Sequence, residues 1–267
     1  MNYFSVHYLN YLSNTNLLLT IATAYLPSIF IIKWWMKDRP PYKNNLLLGA
    51  WNLFLGVSSA YGAYYTLPYL ANDIVTNGFI NSVCTMRVKN NDLISHINIL
   101  FTISKFFEFI DTFFIVFRKA DLDFLHYYHH ITVCLYTWNS AYLQTSTGIY
   151  FVSVNLFVHA IMYTYFALAA FNIRILHPYR KLITIIQTTQ MGLGAFVICT
   201  WLSSCTGKNE LLALTNDFFA IRDINAAEHI VIDYPLVLNH LAGLAMYVSY
   251  GYLFTKLFFK PKKEKHT

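Results

Sequence analysis

Long apolar stretches, separated by short polar loops, dominate the pattern of hydrophobic and polar positions along the chain. A helix needs about 20 mostly apolar residues to cross the hydrocarbon core of a bilayer. Seven stretches of this chain meet that requirement. The pattern therefore predicts an all-α integral membrane protein with seven transmembrane helices. They lie near residues 16–36, 45–69, 93–117, 124–144, 147–170, 178–202 and 236–259.

The composition agrees with a lipid environment. Of 267 residues, 56% are hydrophobic and 12% are charged, a balance outside the usual range of soluble domains. The sequence shows no internal repeat, Ser/Gly-rich linker or shift in composition, so residues 1–267 are predicted to form one membrane-embedded domain. The first residues lack a basic segment and a small-residue cleavage site, which argues against a cleaved signal peptide.

Positive charge is distributed asymmetrically among the loops, which predicts the orientation of the helices. Cytosolic flanks retain Lys and Arg during insertion, and 14 of the 19 basic residues fall on one side. The last loop on the other side, residues 204–235, also contains five acidic residues. We therefore expect a lumenal N-terminus and a cytosolic C-terminus. The 14 residues are Lys33, Lys37, Arg39, Lys43, Arg118, Lys119, Arg174, Arg180, Lys181, Lys256, Lys260, Lys262, Lys263 and Lys265.

This topology places two of the four cysteines in an oxidising compartment. Cys84 and Cys205 lie in lumenal loops, whereas Cys134 and Cys199 lie within spans. A Cys84–Cys205 disulfide is expected, and two free lumenal thiols are the alternative.

The cytosolic tail has lysines fifth and third from its end, Lys263 and Lys265. This spacing resembles a dilysine retrieval signal for the endoplasmic reticulum. Attraction of a basic tail to anionic lipid is the simpler explanation.

Charged side chains at bilayer depth are costly and are therefore candidates for function. In the third span Lys105, Glu108, Asp111 and Thr112 recur at helical spacing on a single face. A structural ion pair between Lys105 and Glu108 is the alternative explanation for this stripe.

Histidines form the second polar group. His126, His129 and His130 share one face at the start of the fourth span, and His159 lies near the middle of the fifth. One buried histidine is commonly a packing residue, but three within a turn beside carboxylates suggest titration, ligation or nucleophilic attack.

Uncharged polar groups complete the cluster. Asn155 and Tyr163 flank His159 at intervals of four residues, and the sixth span contributes Thr184, Gln187 and Gln190. Taken alone, such residues commonly hold helices together. The lumenal halves of the spans are mostly apolar and aromatic, so the pattern favours a substrate with a charged cytosolic head and an apolar tail.

Together these motifs resemble the signature of the ELO family of very-long-chain fatty acid elongases. One departure is Phe166, where many relatives have a second Tyr of a YxYY ending. The run FLHYYHHITV, which has no Gln before the histidine box, is similar to the branch that extends saturated and monounsaturated chains. The motifs are Lys105-x-x-Glu108-x-x-Asp111-Thr112, His126-x-x-His129-His130, Asn155-x-x-x-His159-x-x-Met162-Tyr163-x-Tyr165 and Thr184-x-x-Gln187-x-x-Gln190.

The resemblance implies a fold and a reaction. Six of the seven helices would enclose a narrow acyl-chain tunnel in the endoplasmic reticulum membrane. The enzyme would condense a long-chain acyl-CoA with malonyl-CoA to 3-ketoacyl-CoA, CO2 and CoA. It would need no tightly bound cofactor or metal. Ketoacyl-CoA reductase, dehydratase and enoyl reductase would be partners in the elongation cycle. Association into a homodimer is a further possibility. No nucleic-acid partner is expected.

The resemblance also suggests roles for the residues. His129 would be the nucleophile that takes the acyl group, and His126, His130 and His159 would orient it or move protons. The remaining polar residues would fix imidazole tautomers or bind CoA, pantetheine or the enolate oxygen. They are Lys105, Glu108, Asp111, Thr112, Asn155, Tyr163, Gln187 and Gln190.

Three alternatives remain open at this stage. A membrane di-iron desaturase or hydroxylase uses similar histidine boxes, but such sites draw on about eight histidines. Half of the ten histidines here lie in tails or loops. A seven-helix transporter or receptor would use the polar stripes as a pathway or pocket. Cys134, one turn beyond His130, is a rival nucleophile within the enzyme hypothesis.

Overall fold

The computed structural model describes residues 15–206 and 234–259. Regular structure within these ranges consists of nine α-helices and two 3₁₀ helices, Val88–Asn90 and His177–Tyr179. The α-helices are α1 (Thr15–Trp35), α2 (Asn45–Asn77), α3 (Phe79–Cys84), α4 (Asp92–Phe107), α5 (Phe109–Phe117), α6 (Phe124–Tyr142), α7 (Gly148–Ala170), α8 (Arg180–Ser204) and α9 (Tyr234–Phe258).

Several helices are suited to a lipid environment. Three are long and apolar enough to cross a membrane, Asn45–Asn77, Gly148–Ala170 and His177–Ser204, and Leu19–Trp35 is a shorter apolar helix. The chain is therefore a multi-pass membrane protein. Each of the seven stretches chosen from the sequence overlaps a long helix or a pair of helices, while the number that actually span the bilayer stays a prediction.

Two helices differ from the boundaries expected from the sequence. The stretch 93–117 is divided at Glu108, which separates α4 from α5. At this point Asp111 N bonds the carbonyl of Glu108, three residues back, at 3.1 Å, so the chain tightens into a turn. The second stretch continues past residue 69 to Asn77, with Pro68 inside the helix. The helix stops at Gly78, whose φ is +79°.

The two ends of the helix bundle are distinct. The disulfide end carries the Cys84–Cys205 bridge, whose Cα atoms are 5.3 Å apart. There Ser146 Oγ donates to the Val83 carbonyl at 2.6 Å, which ties the α6–α7 loop to α3. The histidine end, where α5 ends and α6 begins, is tied by the Tyr42 amide, which donates to the Phe117 carbonyl at 2.9 Å.

The last helix packs closely on its neighbours through small residues. The Tyr247 ring lies against Gly194 of α8, and the Tyr136 side chain lies against Gly243 of α9. His240 stacks on Trp201 with ring centroids 3.6 Å apart, and its Nε2 pairs with Thr147 Oγ1 at 3.0 Å. This packing fixes α9 beside α6 and α8, where it forms part of the site wall.

Candidate active site

The three histidines of α6 lie together at the histidine end. Ring centroids are 4.4 Å apart for His126 and His130 and 5.4 Å apart for His129 and His130. His130 is buried, and its Nδ1 has no hydrogen-bond partner among the described residues. The i, i+3, i+4 spacing on α6 therefore produces the cluster that the sequence suggested.

His126 is held from a neighbouring helix. Its Nε2 pairs with Thr112 Oγ1 at 2.9 Å, and Thr112 in turn pairs with the Tyr25 hydroxyl at 2.6 Å. A chain of hydrogen bonds thus runs from α1 through α5 to α6. The chain fixes the orientation of the His126 ring.

A buried ion pair lies behind the cluster, where the helix turns at Glu108. Lys105 Nζ donates to Glu108 Oε1 at 2.6 Å and to Asn155 Oδ1 at 3.0 Å. His159 Nδ1 lies 3.7 Å from the same Glu108 oxygen. Because the ammonium occupies Asn155 Oδ1, the Nδ2 amide of Asn155 is the group left to donate to a ligand. This network joins α4 to α7.

Asp111 joins three helices. Its Oδ1 accepts from Trp51 Nε1 at 2.6 Å, and its Oδ2 accepts from the Tyr163 hydroxyl at 2.7 Å. Both oxygens are therefore occupied by donors from α2 and α7. The carboxylate therefore links these helices by hydrogen bonds, and the Asp111 side chain also lines the candidate site.

Two cavities meet at the histidine cluster. The outer cavity, of about 620 Å³, opens at the histidine end and is lined by His126, His130 and His159. The inner cavity, of about 450 Å³, extends toward the disulfide end along α4, α6 and α7. Four residues line both: His129, Asn155, Gln190 and Met191. A molecule passing from one cavity to the other would therefore contact His129.

The site residues predicted from the sequence fall into two groups, those that line a cavity and those that are buried behind its wall. Asp111, Tyr163, Thr184 and Gln187 line the outer cavity, and Gln187 Nε2 donates to Met162 Sδ at 3.1 Å. By contrast, Lys105, Glu108 and Thr112 are buried outside the walls of the two cavities. Lys263 and Lys265 lie outside the described residues.

The inner cavity differs from the expectation of apolar and aromatic lumenal halves. Its wall includes several polar side chains beyond the histidines. The reason is that a few polar residues of α4, of α6 and of the α6–α7 loop turn toward one narrow space, although each helix taken alone is mostly apolar. They include Asn98, Thr102, Thr137, Ser140, Gln144 and Thr145, and Lys89, Asn90, Asp92 and Ser95 also line this cavity.

Other residues of the site had no distinguishing signal in the sequence. Arg118 and Arg180 line the outer cavity, but as loop cations they indicated only orientation. Tyr250 of α9 lies beside His129, with ring centroids 4.9 Å apart, and its hydroxyl donates to the His129 carbonyl at 3.3 Å. In a chain with 21 tyrosines, only the tertiary contact identifies this one.

Among residues 15–206 and 234–259, no group of three or more His, Cys, Asp or Glu side chains converges as metal ligands would. Cys134 is a buried free thiol packed with Trp138 and Phe109.

A family model and several curated proteins match most of this chain, and they agree on one family. The family model described as "ELO: GNS1/SUR4 family" matches residues 10–267. The chain is 33% identical over 258 residues to fatty acid elongase 3 of Trypanosoma brucei brucei, covering 87% of this chain and 78% of the relative. It is 38% identical over 176 residues to human very long chain fatty acid elongase 6, covering 66% of each chain. It is also 33% identical over 237 residues to the Drosophila melanogaster elongase 6, covering 88% and 69% of the two chains.

Proposed function

This chain belongs to the ELO family, and from that premise we propose that it condenses a fatty acyl-CoA with malonyl-CoA to give 3-ketoacyl-CoA, CO2 and CoA. Curated relatives that match most of the chain are named fatty acid elongases. The observation that carries the proposal is the position of His129, a nucleophile candidate at the junction of two cavities.

The two cavities together supply the shape that the substrate requires. The acyl chain occupies the inner cavity, CoA occupies the outer cavity, and the thioester lies at His129. The walls draw on α2, α4, α5, α6, α7, α8 and α9, and no described residue of α1 lines either cavity. This supports a tunnel enclosed by six of seven spans, where α4 and α5 count as one span.

The first half-reaction transfers the acyl group to the enzyme. A neutral His129 ring nitrogen attacks the thioester carbonyl, the C–S bond breaks, and the CoA thiolate leaves with the proton released from the imidazole. Asn155 Nδ2 and the Gln190 amide, which line both cavities, donate hydrogen bonds to the carbonyl oxygen as it gains negative charge.

The second half-reaction forms the carbon–carbon bond. Malonyl-CoA enters the outer cavity and loses CO2, which leaves an enolate of acetyl-CoA. The enolate carbon attacks the acyl carbonyl and the C–N bond to His129 breaks. The departing imidazole nitrogen takes up one proton from water, which restores the neutral imidazole, and 3-ketoacyl-CoA leaves. His126, His130 and His159 line this cavity and move the proton or polarise the malonyl thioester.

The buried charges act through these groups. Lys105 holds Asn155, and Glu108 lies 3.7 Å from His159 Nδ1. At this distance the carboxylate favours the tautomer with the proton on Nδ1 by electrostatic attraction, which leaves the lone pair on Nε2 of His159. Lys105 and Glu108 are therefore positioning residues.

The cations at the histidine end suit the phosphates of CoA. Arg118 and Arg180 line the outer cavity, and Arg118 Nη1 is buried without a hydrogen-bond partner among the described residues. Guanidinium groups bind phosphates through paired hydrogen bonds. This end then faces the cytosol, in agreement with the excess of Lys and Arg in its loops.

Location and partners follow from the same proposal. Seven spans with a lumenal N-terminus and a cytosolic C-terminus place the Cys84–Cys205 disulfide in the lumen of the endoplasmic reticulum, an oxidising compartment. The product requires a ketoacyl-CoA reductase, a dehydratase and an enoyl reductase to complete the cycle.

The test follows labelled malonyl-CoA into lipid products in membranes from a host that lacks its own elongases. We expect two-carbon extension of a saturated acyl-CoA, loss in His129→Ala and normal extension in the exposed control His177→Ala. Incubation with acyl-CoA alone should release CoA from the wild type in a burst that His129→Ala lacks. Extension without a burst would reject the acyl-histidine step, and iron-dependent oxidation of the acyl chain in place of extension would favour a desaturase or hydroxylase.

A further inference from the structure

α1 packs against the helices that carry the candidate site, although no described residue of α1 lines either cavity. One of its contacts is made by Tyr25, which is 3% exposed. The Tyr25 ring stacks on Phe109 of α5 with centroids 4.0 Å apart, and its hydroxyl pairs with Thr112 Oγ1 at 2.6 Å. Thr112 is fully buried and pairs in turn with His126 Nε2 at 2.9 Å. Two hydrogen bonds thus link a helix outside the cavities to a histidine of the site.

The protons of this chain can be placed, because each buried donor needs an acceptor. Tyr25 and Thr112 have one hydroxyl proton each, and a neutral His126 ring has one N–H. If Tyr25 donates to Thr112 and Thr112 donates to His126 Nε2, both hydroxyl protons have an acceptor. If Nε2 instead carried the proton and donated to Thr112, one hydroxyl proton would have no acceptor among the described residues. A buried donor without an acceptor is costly, so the first arrangement is favoured.

This arrangement determines the tautomer of His126. Nε2 holds a lone pair and accepts from Thr112, so the ring proton is on Nδ1. Nδ1 has no hydrogen-bond partner among the described residues but remains accessible, and the half-buried side chain lines the outer cavity. His126 therefore offers a neutral N–H donor to a ligand.

His159, in the same cavity, has a partner for the other ring nitrogen. Its Nδ1 lies 3.7 Å from Glu108 Oε1, which favours the proton on Nδ1 and leaves the lone pair on Nε2. The nitrogen without a protein partner therefore carries a proton in His126 and a lone pair in His159. The outer cavity thus combines one donor histidine with one acceptor histidine.

We propose that Tyr25 of α1 is a positioning residue that, through Thr112, keeps His126 as an N–H donor to the thioester oxygen of malonyl-CoA. The inference rests on the proposed function and assigns a role within its second half-reaction. When the malonyl C–C bond breaks and CO2 leaves, the electron pair moves onto the thioester oxygen. A hydrogen bond from His126 Nδ1–H stabilises this enolate oxygen, and the proton stays on Nδ1.

The location of His126 supports this step rather than acyl transfer. His126 lines the outer cavity but not the inner one. In the first half-reaction the acyl thioester lies at the junction of the cavities, beside His129. Malonyl-CoA occupies the outer cavity in the second half-reaction, so its carbonyl lies on the side of His129 where His126 is.

Nitrogen NMR of the full chain in detergent tests the tautomer without any need for activity. Histidine labelled at both ring nitrogens is incorporated, and the His126 resonances are those absent from His126→Gln. Coupling to the ring C–H groups distinguishes Nδ1 from Nε2. We expect Nδ1–H in the wild type and in Thr112→Ser. Tyr25→Phe should show both tautomers, because Thr112 then has no donor to its oxygen and can accept from Nε2–H.

Kinetics test the role of this tautomer. Tyr25→Phe keeps the ring stack on Phe109 and removes only the hydroxyl. We expect kcat for condensation to fall about fivefold to tenfold, as for the loss of one neutral hydrogen bond, with KM for malonyl-CoA nearly unchanged. The burst of CoA release from acyl-CoA alone should keep its wild-type rate. Thr112→Ser should retain most of kcat.

Tyr150→Phe is the matched control, because it also removes a buried hydroxyl that pairs with another hydroxyl. Tyr150 is 5% exposed and pairs with Ser82 at the disulfide end, and it lines neither the inner nor the outer cavity. This variant should keep the His126 tautomer and kcat, even where its thermal stability falls as much as that of Tyr25→Phe.

Four results would overturn the inference. They are a proton on Nε2 of His126 in the wild type, an unchanged kcat in Tyr25→Phe, equal slowing of the burst and of condensation in that variant, and an equal loss of kcat in Tyr150→Phe. Nε2–H in an enzyme that elongates would reject the inference alone. A wild type that shows Nδ1–H and forms no 3-ketoacyl-CoA would reject the proposed function, and the catalytic role of His126 with it.

Discussion

Lys105 Nζ lies 2.6 Å from Glu108 Oε1, and the two side chains are 1% and 4% exposed. The pair spans the turn between α4 and α5 and contacts Asn155 and His159 of α7. Its burial means that neither charge can be removed alone without leaving the other in a low-dielectric environment. The pair is both a structural link and a support for two groups of the site.

We therefore expect Lys105→Met and Glu108→Gln each to destabilise the protein by about 3–5 kcal/mol, measured as thermal unfolding in detergent. The double variant Lys105→Met with Glu108→Leu should recover most of this stability, because no unpaired charge remains. It should not recover elongation, since Asn155 and His159 lose their supports. Recovery of activity in the double variant would contradict the positioning role.

The two donors to Asp111 give a second prediction. Tyr163→Phe and Trp51→Phe each remove a hydrogen bond to a carboxylate, and each should cost about 1.5–3 kcal/mol of stability. Thermal unfolding of purified protein measures the loss, with the exposed Tyr61→Phe as the matched control. Equal stability of Tyr163→Phe and the control would show that the 2.7 Å contact is not used in the membrane protein.

Arg118 and Arg180 should determine affinity for the CoA moiety. Arg118→Gln and Arg180→Gln should each raise KM for acyl-CoA about tenfold, because a charge-assisted hydrogen bond to phosphate contributes about 1.5–3 kcal/mol. The exposed Arg174→Gln, outside both cavities, should leave KM unchanged. A loss of kcat with KM unaltered would place these arginines elsewhere in the mechanism.

The disulfide closes a sequence separation of 121 residues, so its loss should lower stability. A double Cys84→Ser, Cys205→Ser variant should unfold with about 2–4 kcal/mol less stability, as judged by thermal unfolding with and without reductant. Labelling of the denatured wild type with a maleimide should modify the two free cysteines, Cys134 and Cys199. All four thiols should react after reduction. Four labels without reductant would show that the bridge is absent.

The close approach of α8 and α9 gives a matched pair of glycine variants. A Cβ at Gly194 would lie 2.6 Å from Tyr247 ring carbons, whereas a Cβ at Gly192 meets nothing within 4 Å. Gly194→Ala should therefore destabilise by about 1–3 kcal/mol through overpacking. Gly192→Ala on the same helix should be neutral or stabilising by about 0.5–1 kcal/mol. The same stability for both variants would mean that the helices do not pack as described.

The sequence predicted the cluster of polar residues because helical spacing makes side chains at i, i+3 and i+4 neighbours on one face. His126, His129 and His130 lie together for this local reason, and the match of the family model to residues 10–267 confirms the resemblance that the motifs suggested. The turn at Glu108 was not predicted, since its apolar surroundings favour a continuous helix and its buried contact with Lys105 depends on how the helices pack.

Apolar stretch length and residue spacing thus determined an all-helical membrane protein with a histidine cluster of the ELO type. Only the tertiary structure decided which partners each polar group has. Asn155 bonds Lys105 from 50 residues away, Asp111 bonds Tyr163 from 52 residues away, and Tyr250 meets His129 across helices. Such contacts depend on how the helices pack, and the residues that turn toward the inner cavity are chosen by the same packing. A periodic pattern defines the faces of each helix, but it does not define which faces meet.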